Sequence, residues 1–166
     1  MTKHQVSVAA EAIVASLLAQ AGCDVFVQYG ANQPGYDLVA SRNGKFRKVS
    51  VKGNKDGGWM LAVNYMEKGS GNQKKYIKAL DAWLSDQDPE TMIALVQYKN
   101  VELGKTPRVY LASPRETTTH MKTQDNGIGG TTLWEAWTKT KGKSKGFENK
   151  IPVEWSFSNN RLNEFI

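Results

Sequence analysis

The sequence has one cysteine, two histidines and no long apolar run, and each shortage excludes something. Cys23 alone cannot form an intramolecular disulfide, so stability must come from a packed core, and a reducing cytoplasmic setting is the expectation. Placed between an apolar segment and a strand-like one, it reads as a small buried hydrophobe. His4 and His120 are far apart and neither has a partner at metal-ligand spacing, so no zinc site is implied. Nowhere do 18 uncharged apolar residues run together, and no membrane span is expected. The stretch 6–20 has Glu11 in its middle and only Lys3, with His4, as a basic flank, so it is not expected to act as a secretory or lipoprotein signal. A Gly-rich nucleotide loop with its lysine, a nucleophile elbow and a Cys-His pair are also missing, which leaves no sequence basis for acyl transfer.

What is present is an ordinary globular mixture with a basic excess. Hydrophobic residues make up 40% and charged residues 23% of 166 residues, enough for one domain with a real core and too apolar for wholesale disorder. The formal charge is +6, which favours a polyanionic partner through phosphate contacts and counterion release. Along the chain, Val6, Ala10, Ile13, Val14, Leu17 and Leu18 recur at helical spacing over 6–20, and Gly22 ends that helix. Strands are expected at 24–30, 36–41 and 46–52. The segment 59–63 extends the sheet or forms its own short strand. A helix comes next at 72–85, then strands at 91–99 and 107–112, and a helix opening with Ser113 and Pro114. TTLWEAWT is ambiguous between helix and strand, and a short helix capped near Ser158 closes the chain. One α/β domain is expected over 1–166, with a core at about 6–112 and a C-terminal extension at 113–166.

The hairpin over 36–52 carries the candidate chemistry. Asn43-Gly44 is the strongest two-residue hairpin signal, because both residues tolerate the positive φ of a type I′ turn. That turn pairs Arg42 with Lys45 and Ser41 with Phe46, and so sets Asp37 opposite Ser50 with Lys52 as a diagonal neighbour. By the two-residue period Asp37, Ser50 and Lys52 share one face, while Leu38, Ala40, Val49 and Val51 point to the core. A hard cation such as Mg²⁺ or Mn²⁺ takes oxygen from one or two carboxylates and shares the rest with water and a phosphate. Asp37 and the Val51 carbonyl are the candidate metal ligands, an adjacent helix is expected to bring Glu11, and Lys52 would orient water or stabilise the developing charge. The plain alternative is a surface ion pair between Asp37 and Lys52.

Helix with Glu11, strand, GYD at 35–37, hairpin, and VSVKGN at 49–54 together resemble the PD-(D/E)XK nuclease superfamily, the restriction-endonuclease-like fold. The resemblance implies an αβββαβ core with a mixed central sheet flanked by helices. It also implies a metal-dependent DNA endonuclease that hydrolyses phosphodiester bonds, with Asp37 as metal-binding aspartate, Lys52 as catalytic lysine and Glu11 as the helix acid. Ser50 stands where the family has an acid. Either another acid takes that place, with Glu11, Asp56 or Glu67 as candidates, or the chain binds nucleic acid, DNA first, without cutting it. A protein-interaction subunit of the same fold is the third alternative.

Further residues are candidates for contact with nucleic acid. Lys55 lies in the glycine-rich GNKDGGW, where amides can approach a phosphate. Gln73, Lys74 and Lys75 open a helix, whose N-terminus suits phosphate. Lys139, Lys141, Lys143 and Lys145 alternate in a polar segment that resembles a mobile arm. Trp59, next to the candidate site, is a possible stacking platform. A homodimer would suit cleavage of two strands, although no dedicated dimer element is visible.

Overall fold

A computed structural model describes residues 1–27, 35–69, 71–139 and 146–166. In chain order the elements are α1 (Lys3–Gln20), β1 (Asp24–Val27), β2 (Leu38–Arg42), β3 (Lys45–Asn54), β4 (Gly58–Trp59), α2 (Gln73–Ser85), β5 (Met92–Gln97), β6 (Arg108–Ala112), α3 (Pro114–Gly127), β7 (Leu133–Trp134), β8 (Ala136–Lys139), β9 (Phe147–Lys150) and α4 (Asn159–Asn163). They form two compact units, each discontinuous in sequence. The first comprises Met1–Asp56, Asp88–Ser113 and Pro152–Ile166; the second comprises Gly57–Gln87 and Pro114–Ile151. No helix among the described residues is long and apolar enough to cross a membrane.

The first unit is built on a five-stranded mixed sheet in the order β1-β2-β3-β5-β6. Its β1-β2-β3 part is an antiparallel meander, whose β2–β3 turn has Asn43 and Gly44 at φ 52° and 77° as a type I′ turn requires. The ladder pairs Arg42 with Lys45 and Leu38 with Val49, as the turn chemistry predicts. Next, β5 joins β3 in parallel with Val51 beside Ala94, and β6 closes the edge antiparallel. A parallel neighbour cannot be reached by a hairpin, so the chain leaves after β3 and returns at β5 by way of α2. Every residue of β5 is buried, as expected of a central strand with a parallel partner covered on both faces.

Helix α1 begins at Lys3, earlier than its apolar periodicity implies, because Thr2 and Gln5 form a reciprocal capping box. At its other end Gly22 turns left-handed at φ 81°, and the Cys23 amide reaches back to the Leu18 carbonyl at 3.0 Å. Ala10, Val14 and Leu18 pack with Leu38, Ala40, Val49, Val51, Met92, Ala94 and Val96 in one core, and Cys23 is buried in it, as the sequence suggests.

Leu162 and Ile166 belong to this same core, so the expected division into a core ending near 112 and an extension beyond it is not the one observed. The chain comes back: Ser158 caps α4 by accepting the Arg161 amide, and two hairpin arginines hold the last residues of the chain. Arg42 donates to Asn163 Oδ1 at 2.6 Å and to the Ile166 carbonyl at 3.1 Å, while Arg47 donates to the Phe165 carbonyl at 2.6 and 2.9 Å.

In the second unit α2 packs against α3, and Asp81 pairs with Lys122 across them at 2.5 Å. The segment at 59 makes its own small sheet: β4 pairs antiparallel with β7, and β8 with β9. The ambiguous TTLWEAWT is therefore strand. α3 starts at Pro114 as expected and breaks at Gln124, after which Asp125 and Asn126 adopt φ 52° and 56°.

Candidate functional site

Asp37, Ser50 and Lys52 lie where the paired register of β2 and β3 stops, at Leu38–Val49. Asp37 lies just before the strand and its amide donates to the Val49 carbonyl at 2.9 Å, one residue out of register with the ladder. The backbone is thus bending away from β3 at this point. Its side chain replaces the departing strand: Asp37 Oδ2 accepts the Val51 N–H at 2.6 Å. A charge-assisted bond of that length fixes the carboxylate at the fork where β2 parts from β3.

An extended residue points its N–H and its C=O to the same side of a strand. Since the Val51 amide faces Asp37, the Val51 carbonyl faces the same gap. Asp37 Oδ2 is bound to the Val51 amide, and the Val51 carbonyl lies on the same edge of β3. Two protein oxygens would meet the modest demand of Mg²⁺ or Mn²⁺ for protein ligands. They make a minimal site. Among the described residues no group of three or more His, Cys, Asp or Glu stands together as a metal cluster.

The other candidates divide. Ser50 is 5% exposed, and Lys52 is exposed two residues further along the same face of β3. Glu11 is half-buried on α1 and accepts a hydrogen bond from Ser7 Oγ at 3.0 Å. Its helix packs on the opposite face of β3: a Cβ on Gly53 would stand 2.8 Å from Ala10 Cβ and 2.9 Å from the Val6 carbonyl. The expectation that the helix delivers Glu11 to the face of Ser50 and Lys52 is corrected by this parity, because Gly53 shares the face of Val49 and Val51. Asp56 is exposed, with its amide donating to Asn54 Oδ1 at 2.6 Å, and Glu67 pairs with Lys78 at 2.5 Å, which holds its carboxyl below the ordinary range.

Of the nucleic-acid candidates, Lys55 lies in the first unit and donates to the Met1 carbonyl at 2.7 Å. Trp59 is only 3% exposed, so the expectation of a stacking platform is wrong: its ring is enclosed and has no face to offer a base. In the second unit Lys74 is exposed, Gln73 donates to the Gly127 carbonyl at 2.9 Å, and Lys75 donates to the Lys68 carbonyl at 3.0 Å. Lys139 is no part of an arm. It lies in β8 and pairs with Asp125 at 2.9 Å, both side chains largely buried. Lys141, Lys143 and Lys145 lie outside the described residues.

Sequence reasoning passed over Phe26 and Phe46, which are 55% and 67% exposed. Phenylalanines in strands are ordinarily assigned to the core, but parity was an available signal, because Phe46 shares the face of Ser50 and Lys52. Tyr36 belongs with them, its ring 5.6 Å from the Lys48 ammonium.

Compared with known proteins, the chain matches no family model, no curated protein and no solved structure. The class its fold defines is therefore mixed α/β, with a five-stranded mixed sheet and a helix packed on one face.

Proposed function

We propose that this chain is a metal-dependent phosphodiesterase acting on nucleic acid, DNA first, with a restriction-endonuclease-like core. The element order α1, β1, β2, β3, β4, α2, β5 contains the αβββαβ order that this reading requires, with the short β4 interposed and α2 in the second unit. The observation that carries it is the fork: Asp37, locked by the Val51 amide, and the Val51 carbonyl aim at one gap, with Lys52 next along β3.

Asp37 and the Val51 carbonyl would hold the ion. When bound, Mg²⁺ or Mn²⁺ supplies Lewis-acid polarisation of a phosphoryl oxygen. Hydrolysis adds water to phosphorus and breaks one P–O ester bond, the departing oxygen taking a proton. Lys52 contributes an ammonium that orients the water and offsets charge developing on the phosphoryl oxygens. Ser50 is neutral and contributes a hydrogen bond at most. Lys55, in the same unit as Asp37, serves phosphate contact without reading bases.

Mn²⁺ calorimetry with a short DNA duplex, run on wild type and Asp37→Ala beside a cleavage assay on the same duplex, tests the reading. Wild type is expected to bind Mn²⁺ with the duplex present and to cut it, with binding lost in Asp37→Ala and cleavage lost in Lys52→Ala. Cleavage that survives both substitutions would refute the site. A second reading, a nucleic-acid-binding module without catalysis, is favoured by the neutral Ser50 and by the lack of a three-ligand cluster among the described residues. It predicts salt-sensitive binding with no product.

A further inference from the structure

Asp37 meets the fork with one oxygen already engaged, since its Oδ2 accepts the Val51 N–H at 2.6 Å. Its neighbours on β3 bring no further negative charge. Ser50 is neutral and 5% exposed, the Val51 carbonyl is neutral, and Lys52 puts an ammonium on the same face of β3 as Ser50. Glu11 sits on α1, which packs on the opposite face. Among the described residues no group of three or more His, Cys, Asp or Glu could add ligands. Hard cations gain affinity with the number of charged oxygens around them. An ion arriving alone would find a single carboxylate at the fork and a lysine on the strand beside it.

A phosphodiester arriving alone meets the converse shortage. The face of Ser50 and Lys52 also carries Lys48 on β3 and Asp24 on β1, and Lys48 is taken up by Asp88 at 2.9 Å. Arg42, Lys45 and Arg47 belong to the other face, where Arg42 and Arg47 hold the last residues of the chain. This face therefore has no positive excess, and the Asp37 carboxylate at its edge repels an incoming phosphate. An ion between that carboxylate and a phosphoryl oxygen replaces the repulsion with two attractions. We propose that Asp37 and Lys52 hold a divalent ion and a phosphodiester as a coupled pair, each raising the other's affinity, with either one alone held weakly. Linkage makes the coupling reciprocal: the factor by which the phosphodiester raises metal affinity is the factor by which the metal raises phosphodiester affinity. As a statement about regulation of the fork this rests on the phosphodiesterase reading, and it makes the backbone phosphate, with no base read, the switch that loads the metal.

The test measures both affinities on the whole chain. Mn²⁺ is titrated by calorimetry with and without a saturating 15-base-pair DNA duplex. Its linkages are phosphorothioates, which keep the charge and resist hydrolysis, and the duplex's own uptake of Mn²⁺ is subtracted. Anisotropy of the labelled duplex is then read in EDTA and in Mn²⁺. Each partner is expected to raise the affinity of the other by the same factor, about 5- to 150-fold. In Asp37→Ala that factor should fall to one. Ser50→Asp, which adds a second carboxylate, should bind Mn²⁺ without the duplex and couple less, with circular dichroism to establish that it is folded. Should a charge at this buried position prevent folding, the wild-type and Asp37→Ala measurements decide alone. The proposal is overturned if the duplex leaves the Mn²⁺ affinity of wild type unchanged, or if Asp37→Ala or folded Ser50→Asp couples as strongly as wild type. Mn²⁺ that binds through Asp37 equally well with and without the duplex refutes the coupling and leaves the metal site standing. Mn²⁺ that binds in neither condition refutes both.

Discussion

Gly53 follows Lys52 directly, and its replacement by alanine gives the sharpest mechanical test of how α1 sits on β3. An alanine Cβ would stand 2.8 Å from Ala10 Cβ, 2.9 Å from the Val6 carbonyl oxygen and 3.0 Å from Val6 Cγ1. Carbon atoms in contact prefer about 3.5–4.0 Å, so the helix must retreat by the better part of an ångström. Two of the three obstacles are a Cβ and a backbone oxygen, which no rotamer change can move aside. Overpacking of this kind costs roughly 1–3 kcal/mol, offset by about 0.5–1 kcal/mol because glycine is a poor strand residue. The net expectation is a loss of about 1–2 kcal/mol, or some 2–8 °C in Tm for a chain of this length. Urea denaturation should show a lower midpoint at unchanged m. Ala10→Gly is the partner substitution: it removes the nearest atom, so its cost combined with Gly53→Ala should be smaller than the two costs taken separately. A Gly53→Ala variant as stable as wild type would refute the close approach.

Asp37→Asn keeps an oxygen to accept the Val51 amide, whereas Asp37→Ala does not. Asn should therefore lose Mn²⁺ binding with little loss of stability, while Ala should lose both, the latter by about 1–3 kcal/mol in urea melts. Burial holds the Cys23 thiol above its ordinary pKa, so native protein should react slowly with a thiol reagent at pH 8 and urea-unfolded protein promptly. The Lys48 ammonium at 2.9 Å holds the Asp88 carboxyl below its ordinary range, so the pair stabilises the fold above about pH 4, and that contribution fades as pH falls through the lowered folded pKa. In thermal melts Asp88→Asn should lie below wild type at pH 6 and converge with it towards pH 2. The raised Lys48 pKa gives the matching loss at the alkaline end, above about pH 10.

Where local chemistry decides, the sequence was sufficient. Asn43-Gly44 fixes the turn, and the turn fixes the register from Arg42–Lys45 to Leu38–Val49, beyond which Asp37 leaves the ladder and bonds to Val49 and Val51. Caps at Ser158 and Pro114 mark helix starts for the same reason, since side-chain and backbone geometry there involve only near neighbours. Even the burial of Met92–Val96 in β5 follows from their unbroken apolar run. None of this reached the partners that lie far away in the chain. That Arg42 and Arg47 bind the carbonyls of Ile166 and Phe165, making residues near the C-terminus part of the first core, depends on contacts across more than 110 residues that carry no local signal. Lys139 reads as a solvated cation until Asp125 meets it, and Trp59 as an open platform until β7 pairs with its strand. Glu11 shows the limit most clearly: helical periodicity says which residues face a sheet, but only packing chooses the face. The contact of Ala10 with Gly53 sets α1 on the side away from Ser50 and Lys52, because glycine is the one residue there that lets a helix come so near.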